Sequence, residues 1–200
     1  MLQARDVANY FLGTFDAESG DNISNLKLQK LLYYAQGFHL AMHEGEPLFL
    51  DPVEAWDRGP VVRSLYQKYK SFGWGAIERP SNFDMYEYLP ETRELLDVVS
   101  GVYGQYTAKR LERMTHQEPP WNETPRNEAI SIDSMRSYFT GLVEAGSSGQ
   151  LVGDHPVWPT DAFRFQNRKA ISRRLARHGD RLRKIVKSLT EAPGPWAGEE

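Results

Sequence analysis

The sequence predicts a mainly α-helical protein built as a compact multi-helix domain around a buried central helix, with a small β-hairpin or short strand near residues 47–58 and a basic helix near the C-terminus. Three observations lead to this fold class. Residues 26–42 are apolar on nearly every side at helical spacing, which is typical of a helix inside a core. Other segments place apolar residues on one helical face only, and glycines and prolines separate these segments at short intervals.

A first amphipathic helix is predicted over residues 4–15. Ser24 or Asn25 can cap the central helix, because a short side-chain oxygen can accept a hydrogen bond from the free N–H groups of the first turn. The segment 47–58 is partly alternating and contains prolines, which favours an edge strand or a small hairpin.

Further helices are predicted after the segment 47–58, and prolines help to place their ends. Pro60 is expected in the first turn of a helix, where its missing N–H costs nothing, and Pro90 is expected to open another. Thr107 can cap the next helix. The run Pro119-Pro120-Trp121 predicts an extended connection. A helix from about Asp133 is expected to close the compact part.

The charge is unevenly distributed along the chain. The net charge is −3, but residues 161–200 contain ten Arg and Lys against five Asp and Glu, which leaves +5 there and −8 in the first 160 residues. The basic helix is open to three interpretations: a solvated face, a nucleic-acid contact, or a protein-binding element suited to an acidic groove on a partner or on the chain's own body. The expected organisation is a compact domain at 1–144, a linker at 145–160, a basic helical extension at 161–190 and a disordered tail at 191–200.

Composition restricts the chemistry of the chain. It has no cysteine, which excludes disulfides, a thiolate nucleophile and cysteine metal sites. The first residues lack the basic and apolar regions of a secretory signal, and no apolar run reaches the length of a membrane helix. A cytoplasmic protein is therefore expected.

Two histidines on the central helix have a spacing that can present imidazoles to one metal ion. His39 and His43 are four residues apart, but Leu40 occupies the position where the zinc-protease pattern has a glutamate. We expect both histidines to be ordinary residues at the polar end of the helix, and we predict no metal and no cofactor.

Nucleophilic catalysis has little support in the sequence. Ser24, Ser64, Ser71 and Thr115 lack a glycine-flanked elbow, no residue order suggests a triad, and there is no glycine-rich phosphate loop. We therefore predict that the chain is not an enzyme. A metal-independent hydrolase that uses His116 with Glu54 or Glu118 remains the less favoured alternative.

The central helix carries an unusual number of polar side chains for a buried element. Lys27, Lys30 and Tyr34 share one face at i, i+3 and i+7. If the helix is buried, they must be hydrogen-bonded internally, with a lysine paired to Glu54 or Glu118, or must line a binding surface. A second set at the same spacing consists of Gln29, Tyr33 and Gln36.

These residues belong to a longer pattern that resembles the Panacea antitoxin domain, the family of phage-associated GepA-like proteins and of the SocA-type antitoxin. The resemblance covers about residues 6–142 and does not include the basic extension. The segments that carry it are Ala8-Asn-Tyr-Phe-Leu, Ile23-Ser-Asn-Leu-Lys-Leu-Gln-Lys-Leu-Leu-Tyr-Tyr-Ala-Gln-Gly-Phe-His, Pro47-Leu-Phe, Glu54-Ala-Trp, Gly59-Pro-Val-Val, Leu65-Tyr, Leu111, Thr115-His116, Glu118, Pro120-Trp121, Ile132 and Met135-Arg-Ser-Tyr-Phe.

The resemblance implies a mainly helical, non-enzymatic antitoxin that is encoded beside a toxin gene in bacteria and phages and neutralises its cognate toxin by direct binding. It also implies a possible role as an adaptor that delivers the toxin to the ClpXP protease. A nucleic-acid-binding regulator that acts through residues 161–190 is the alternative. The residues expected to bind the partner are Lys27, Lys30, Tyr34, Glu54, Trp56, His116, Arg173, Arg174, Arg177 and Arg181.

Overall fold

The computed structural model describes residues 2–15, 23–148, 152–153 and 155–156. Within these residues the chain is mainly helical, with one small antiparallel hairpin. This confirms the predicted fold class. The elements are α1 (Ala4–Thr14), α2 (Asn25–Met42), β1 (Glu54–Trp56), β2 (Gly59–Val61), α3 (Arg63–Lys68), α4 (Pro90–Tyr103), α5 (Ala108–Thr115), α6 (Pro119–Asn122) and α7 (Ile132–Ser147), with short 3₁₀ turns at Lys70–Phe72 and Met85–Glu87.

Helix α2 is the centre of the fold. It is buried along almost its whole length and contacts α1, α3, α4, α5, α7 and β2. Ser24 caps it as predicted, by accepting a hydrogen bond from the backbone N–H of Lys27. Gly37 lets α7 approach closely, because a Cβ at this position would lie 2.2 Å from the ring of Phe139. The predicted central helix is therefore confirmed, and its apolar circumference results from neighbours on every side.

The hairpin lies over residues 54–61, slightly further along the chain than the segment in which it was predicted. Glu54 pairs with Val61 and Ala55 with Pro60. The backbone N–H and C=O of Ala55 point the other way, to Glu128 and Asn127. Pro60 is therefore at a position where the ladder needs no N–H from β2, which is how a strand accommodates a proline. The prediction that Pro60 begins a helix was wrong, and α3 begins at Arg63.

The connection after α5 also differs from the prediction. Residues Pro119–Asn122 form the short helix α6, with Pro119 at its first position, whereas the sequence predicted an extended connection. The two prolines fit because the first-turn N–H groups of a helix have no intrahelical acceptor. This helix turns the chain so that Glu118 points into the core and Trp121 packs under the hairpin.

Helix α7 ends at Ser147, three residues beyond the predicted end of the compact domain. His155, in the predicted linker, is buried against the body. The predicted basic extension and tail, with Arg173, Arg174, Arg177 and Arg181, lie outside the described residues. Among the helices that the structure describes, none is long and apolar enough to span a membrane.

Candidate partner-binding site

The polar side chains of α2 bind the backbone of the segments packed around the helix. Gln36 accepts hydrogen bonds from the N–H groups of Leu48 and Phe49 at 3.0 and 3.2 Å, and its amide donates to the carbonyl of Phe49 at 3.0 Å. Gln36 thereby satisfies three backbone groups that would otherwise be buried without partners.

Two further residues of α2 bind the hairpin side of the fold. Gln29 accepts a hydrogen bond from the N–H of Val62 at 2.9 Å, and Lys30 donates to the carbonyl of Pro60 at 3.1 Å. The outer edge of β2 is thus hydrogen-bonded to helix side chains in place of a third strand, which protects an otherwise open sheet edge. Internal hydrogen bonding therefore accounts for Lys30, although its acceptor is a carbonyl group and not Glu54 or Glu118.

Lys30 is fully buried, and this changes its protonation. Burial lowers the pKa of its ammonium group to about 7, because a charge is poorly solvated in the interior. Glu112 and Glu118 partly oppose this effect, whereas Arg58 adds to it. Gly59 makes room for the ammonium group: its φ of +98° is in the left-handed region, and a Cβ there would lie 2.7 Å from Nζ of Lys30.

Glu118 is the centre of a second buried cluster, in which it faces aromatic side chains. Its Oε1 accepts a hydrogen bond from the hydroxyl of Tyr34 at 2.8 Å and lies 3.3 Å from Nε2 of His155. The hydroxyl of Tyr138 is 3.0 Å from the same imidazole nitrogen. The ring of Tyr34 stacks on that of Tyr103 with centroids 3.9 Å apart. Burial and the Glu118 carboxylate hold the pKa of Tyr34 well above its usual value, so its hydroxyl stays a donor.

The outer side of the hairpin presents aromatic and charged side chains to solvent. The indole N–H of Trp56 donates to Glu54 at 2.8 Å, and the guanidinium of Arg63 pairs with the same carboxylate oxygen at 3.1 Å. Arg63 also lies over the Trp56 ring, 5.6 Å from its centroid. Glu54 therefore fixes the positions of a tryptophan and an arginine that are both partly exposed.

A second tryptophan lies directly beneath the first. The indole N–H of Trp121 donates to the carbonyl of Trp56 at 2.9 Å. The Arg126 guanidinium lies 3.7 Å from the Trp121 ring centroid, and the imidazole of His116 stacks on this ring at 4.0 Å. Burial lowers the pKa of His116, with Glu112 opposing. His116 is thus expected to be neutral at physiological pH.

A third tryptophan completes this surface. Trp74 is 75% exposed, and the guanidinium of Arg58 lies 4.4 Å from its ring centroid. Arg58 also pairs with Glu112 at 2.9 Å, which ties the hairpin turn to α5. We call this surface the tryptophan face; it consists of Trp56, Trp74, Arg58, Arg63, Arg126 and His116 and lies over Trp121, which is only 6% exposed.

The structure separates the residues that the sequence predicted to bind a partner into two groups. Lys30 and Tyr34 are fully buried, and Lys27 is nearly so. Glu54, Trp56 and His116 lie together at the tryptophan face. The direct contact of any of these residues with a partner stays a prediction. Sequence reasoning missed Arg58, Arg63, Trp74, Trp121 and Arg126 as site residues, and the only signal for Trp74 was its position between two glycines at residues 73–75.

Neither the hydrolase pair nor the two-histidine metal site takes shape as a chemical centre in the described part of the chain. Glu54 is engaged by Trp56 and Arg63, and Nε2 of His116 is buried without a hydrogen bond. His39 and His43 stack on one another at 4.0 Å, and no group of three or more potential metal ligands occurs among the described residues.

Comparison with known proteins identifies a family that resembles the region containing most of these residues. Residues 28–122 match the family model described as Antitoxin SocA-like, Panacea domain. Antitoxin SocA of Caulobacter vibrioides (strain NA1000 / CB15N) is 43% identical over 72 residues, which are 36% of this chain and 37% of that protein. No solved structure matches the chain. Residues 28–122, which include most of α2, the hairpin and α6, are therefore similar to the Panacea domain of the SocA-like antitoxins.

Proposed function

We propose that the protein is an antitoxin that neutralises a cognate toxin by binding it directly. The observation that carries this proposal is the family match over residues 28–122, because this region contains most of the core helix and most of the tryptophan face. The similar protein from Caulobacter vibrioides is itself named an antitoxin.

The use of the polar residues within the domain supports a binding function. Gln29, Lys30 and Gln36 hold the hairpin and the loop after α2 through backbone hydrogen bonds. A surface held in this way loses little conformational entropy when a partner binds. The domain is thus suited to present a rigid surface to another protein.

Co-expression with the product of the adjacent gene tests the proposal. Expression of that product alone should arrest growth, co-expression with this protein should restore it, and the two should co-purify. Rescue without co-purification would contradict neutralisation by direct binding, and the absence of any rescue would contradict the antitoxin function itself.

Delivery of the toxin to the ClpXP protease is the second part of the proposal, because a bound toxin can be either blocked or handed on. The half-life of the toxin in cells with and without ClpXP separates these outcomes. If delivery operates, the toxin should be stable without the protease and short-lived only when both the antitoxin and ClpXP are present. A toxin that is equally stable in all cases supports simple blockade.

The basic extension at residues 161–190 is proposed to add contacts to the toxin. Its ten cations before residue 190 suit an acidic surface, and Arg173, Arg174, Arg177 and Arg181 are the residues we expect to make these contacts. Deletion of residues 161–200 should abolish rescue while the thermal unfolding of the remaining domain is unchanged. Unimpaired rescue by the truncated protein would exclude a clamping role.

A further inference from the structure

We propose that the tryptophan face is the surface that holds the partner protein, and that the partner meets it with carboxylate side chains. This inference rests on the proposed function, because it names the surface and the chemistry of the same binding event.

Each tryptophan in the described part of the chain has an arginine guanidinium over its ring. The pairs are Arg58 with Trp74, Arg63 with Trp56, and Arg126 with Trp121, at 4.4, 5.6 and 3.7 Å from the ring centroids. The three pairs are neighbours, because Trp121 hydrogen-bonds to the backbone of Trp56 and Arg58 follows Trp56 by two residues. Tryptophan and arginine are the residues most enriched among those that dominate protein–protein binding energy.

The exposure of Trp74 is the clearest indication that this face has a partner. Three quarters of its surface is in water, although the chain has a well-packed core. The charged group over its ring is Arg58, which is held in place by the ion pair with Glu112. A large aromatic side chain in a fixed position is a suitable anchor for an interface.

The arginines over the rings define the partner's chemistry. A guanidinium held over an indole still has N–H groups directed away from the ring, and these groups match the two oxygens of a carboxylate. Arg58 and Arg63 each bind one carboxylate of this chain, but their side chains are still 45% and 59% exposed. They therefore retain donors for a second acceptor, in an orientation that is already fixed.

The charge around the face favours a protein over a nucleic acid. Glu54 and Glu112 lie among the arginines, and Asp57 is exposed in the hairpin turn. The first 160 residues together have a net charge of −8, which repels an extended polyanion. A compact group of carboxylates on a folded partner can contact the arginines without lying along the acidic body.

The experiment measures the affinity of the purified adjacent-gene product for the full-length protein and two variants, Trp74→Ala and Arg126→Glu. Each variant should weaken binding at least tenfold with far-UV circular dichroism unchanged, and Trp74→Ala should also leave the melting temperature unchanged. Binding of the wild-type protein should also weaken as salt rises from 50 to 300 mM, because carboxylate–arginine contacts are screened.

Tyr86→Ala is the matched control. Tyr86 is 65% exposed and has the Arg93 guanidinium 5.5 Å from its ring centroid, but it lies just before α4, outside the tryptophan face. This control should bind within twofold of the wild type.

Three results would overturn the proposal. If the wild-type protein does not bind the adjacent-gene product, the proposed function fails and the surface fails with it. If the wild type binds and both variants bind equally well, the surface alone is wrong. If the wild type retains a 20-base-pair DNA duplex at low salt and both variants release it, the face contacts nucleic acid and the assignment to a protein partner is wrong.

Discussion

The inner and outer sides of the hairpin both carry polar side chains with hydrogen-bond partners in the chain, but only those on the outer side stay exposed to solvent. On the inner side, Lys30 and Tyr34 each donate to a single acceptor and are closed off from water. On the outer side, Arg58 and Arg63 also have an acceptor within the chain, but much of each side chain stays exposed. This difference follows from burial. A buried polar group uses its hydrogen bonds within the fold, whereas an exposed group with a fixed orientation can still bind a partner.

This comparison predicts that substitutions on the inner side change stability, whereas those on the tryptophan face change binding. The largest effect is expected for Glu118→Ala. The substitution leaves the hydroxyl of Tyr34 without its acceptor in a dry interior and removes the carboxylate beside His155, so it should lower the free energy of unfolding by about 3 kcal/mol. Chemical denaturation at pH 7 measures this.

Glu118→Gln is the control for that prediction, because its amide oxygen can still accept from Tyr34. Its loss in the free energy of unfolding should be less than half of the loss measured for Glu118→Ala. If the free energy of unfolding of Glu118→Ala lies within about 0.5 kcal/mol of the wild-type value, the cluster around Glu118 contributes little to stability. The proposed difference between the inner and outer sides would then be wrong.

The inner region also shows how much of the fold could be predicted from the sequence. The apolar circumference of α2 predicted its central position, because only a helix with neighbours on every side has this pattern. The same pattern could not say which way Lys30 and Tyr34 point, since such a helix has no polar face to orient them. Internal bonding and a binding surface were therefore equally consistent with the sequence.

The hairpin and the tryptophan face were harder to predict, for local reasons. A proline suits both the first turn of a helix and an unpaired strand position, so Pro60 could not distinguish the two. The arginine–tryptophan pairs join residues 5, 7 and 16 positions apart in loops and turns, where no periodicity applies. Only the folded arrangement brings Trp56 and Trp74, with their arginines, together above the buried Trp121.

The next effect in size is expected at the contact between the hairpin turn and α2. Gly59→Ala places a Cβ 2.7 Å from Nζ of Lys30 and 2.8 Å from Oγ1 of Thr115, at a φ that alanine rarely adopts. The strain should lower the free energy of unfolding by about 2 kcal/mol. Urea denaturation of this variant measures the loss.

Gly101→Ala provides the matched control for Gly59→Ala. Gly101 lies within α4, and a Cβ there would meet nothing within 4 Å. The variant should be as stable as the wild type or more stable by about 0.5 kcal/mol, because alanine favours the helix. Equal losses at Gly59 and Gly101 would show that the hairpin contact has no special role.

A smaller and pH-dependent effect is expected from Lys30. Its pKa is about 7 in the fold and 10.5 in the unfolded chain. Between these values the unfolded state binds more protons than the folded state, so stability should rise with pH, by about 1 kcal/mol per pH unit between pH 7 and 9. Lys30→Met removes the titrating group and should flatten this part of the curve. The range stops at pH 9 because the tyrosines of the unfolded chain ionise near pH 10. An equal slope in both proteins would show that Lys30 stays charged in the fold.

The smallest change in stability is expected on the tryptophan face. Trp74→Ala removes a side chain that is 75% exposed and contacts Arg58 through a surface cation–π pair, so the free energy of unfolding should change by less than 0.5 kcal/mol. Tyr86→Ala should behave in the same way, since Tyr86 has a similar exposure and also carries an arginine. Thermal and urea unfolding of both variants test this.

A loss of more than about 1 kcal/mol in Trp74→Ala alone would show that Trp74 contributes to the stability of the fold, and the inner and outer regions would then no longer differ in their roles. An unchanged stability together with weakened binding would locate the recognition function on the outer side of the hairpin.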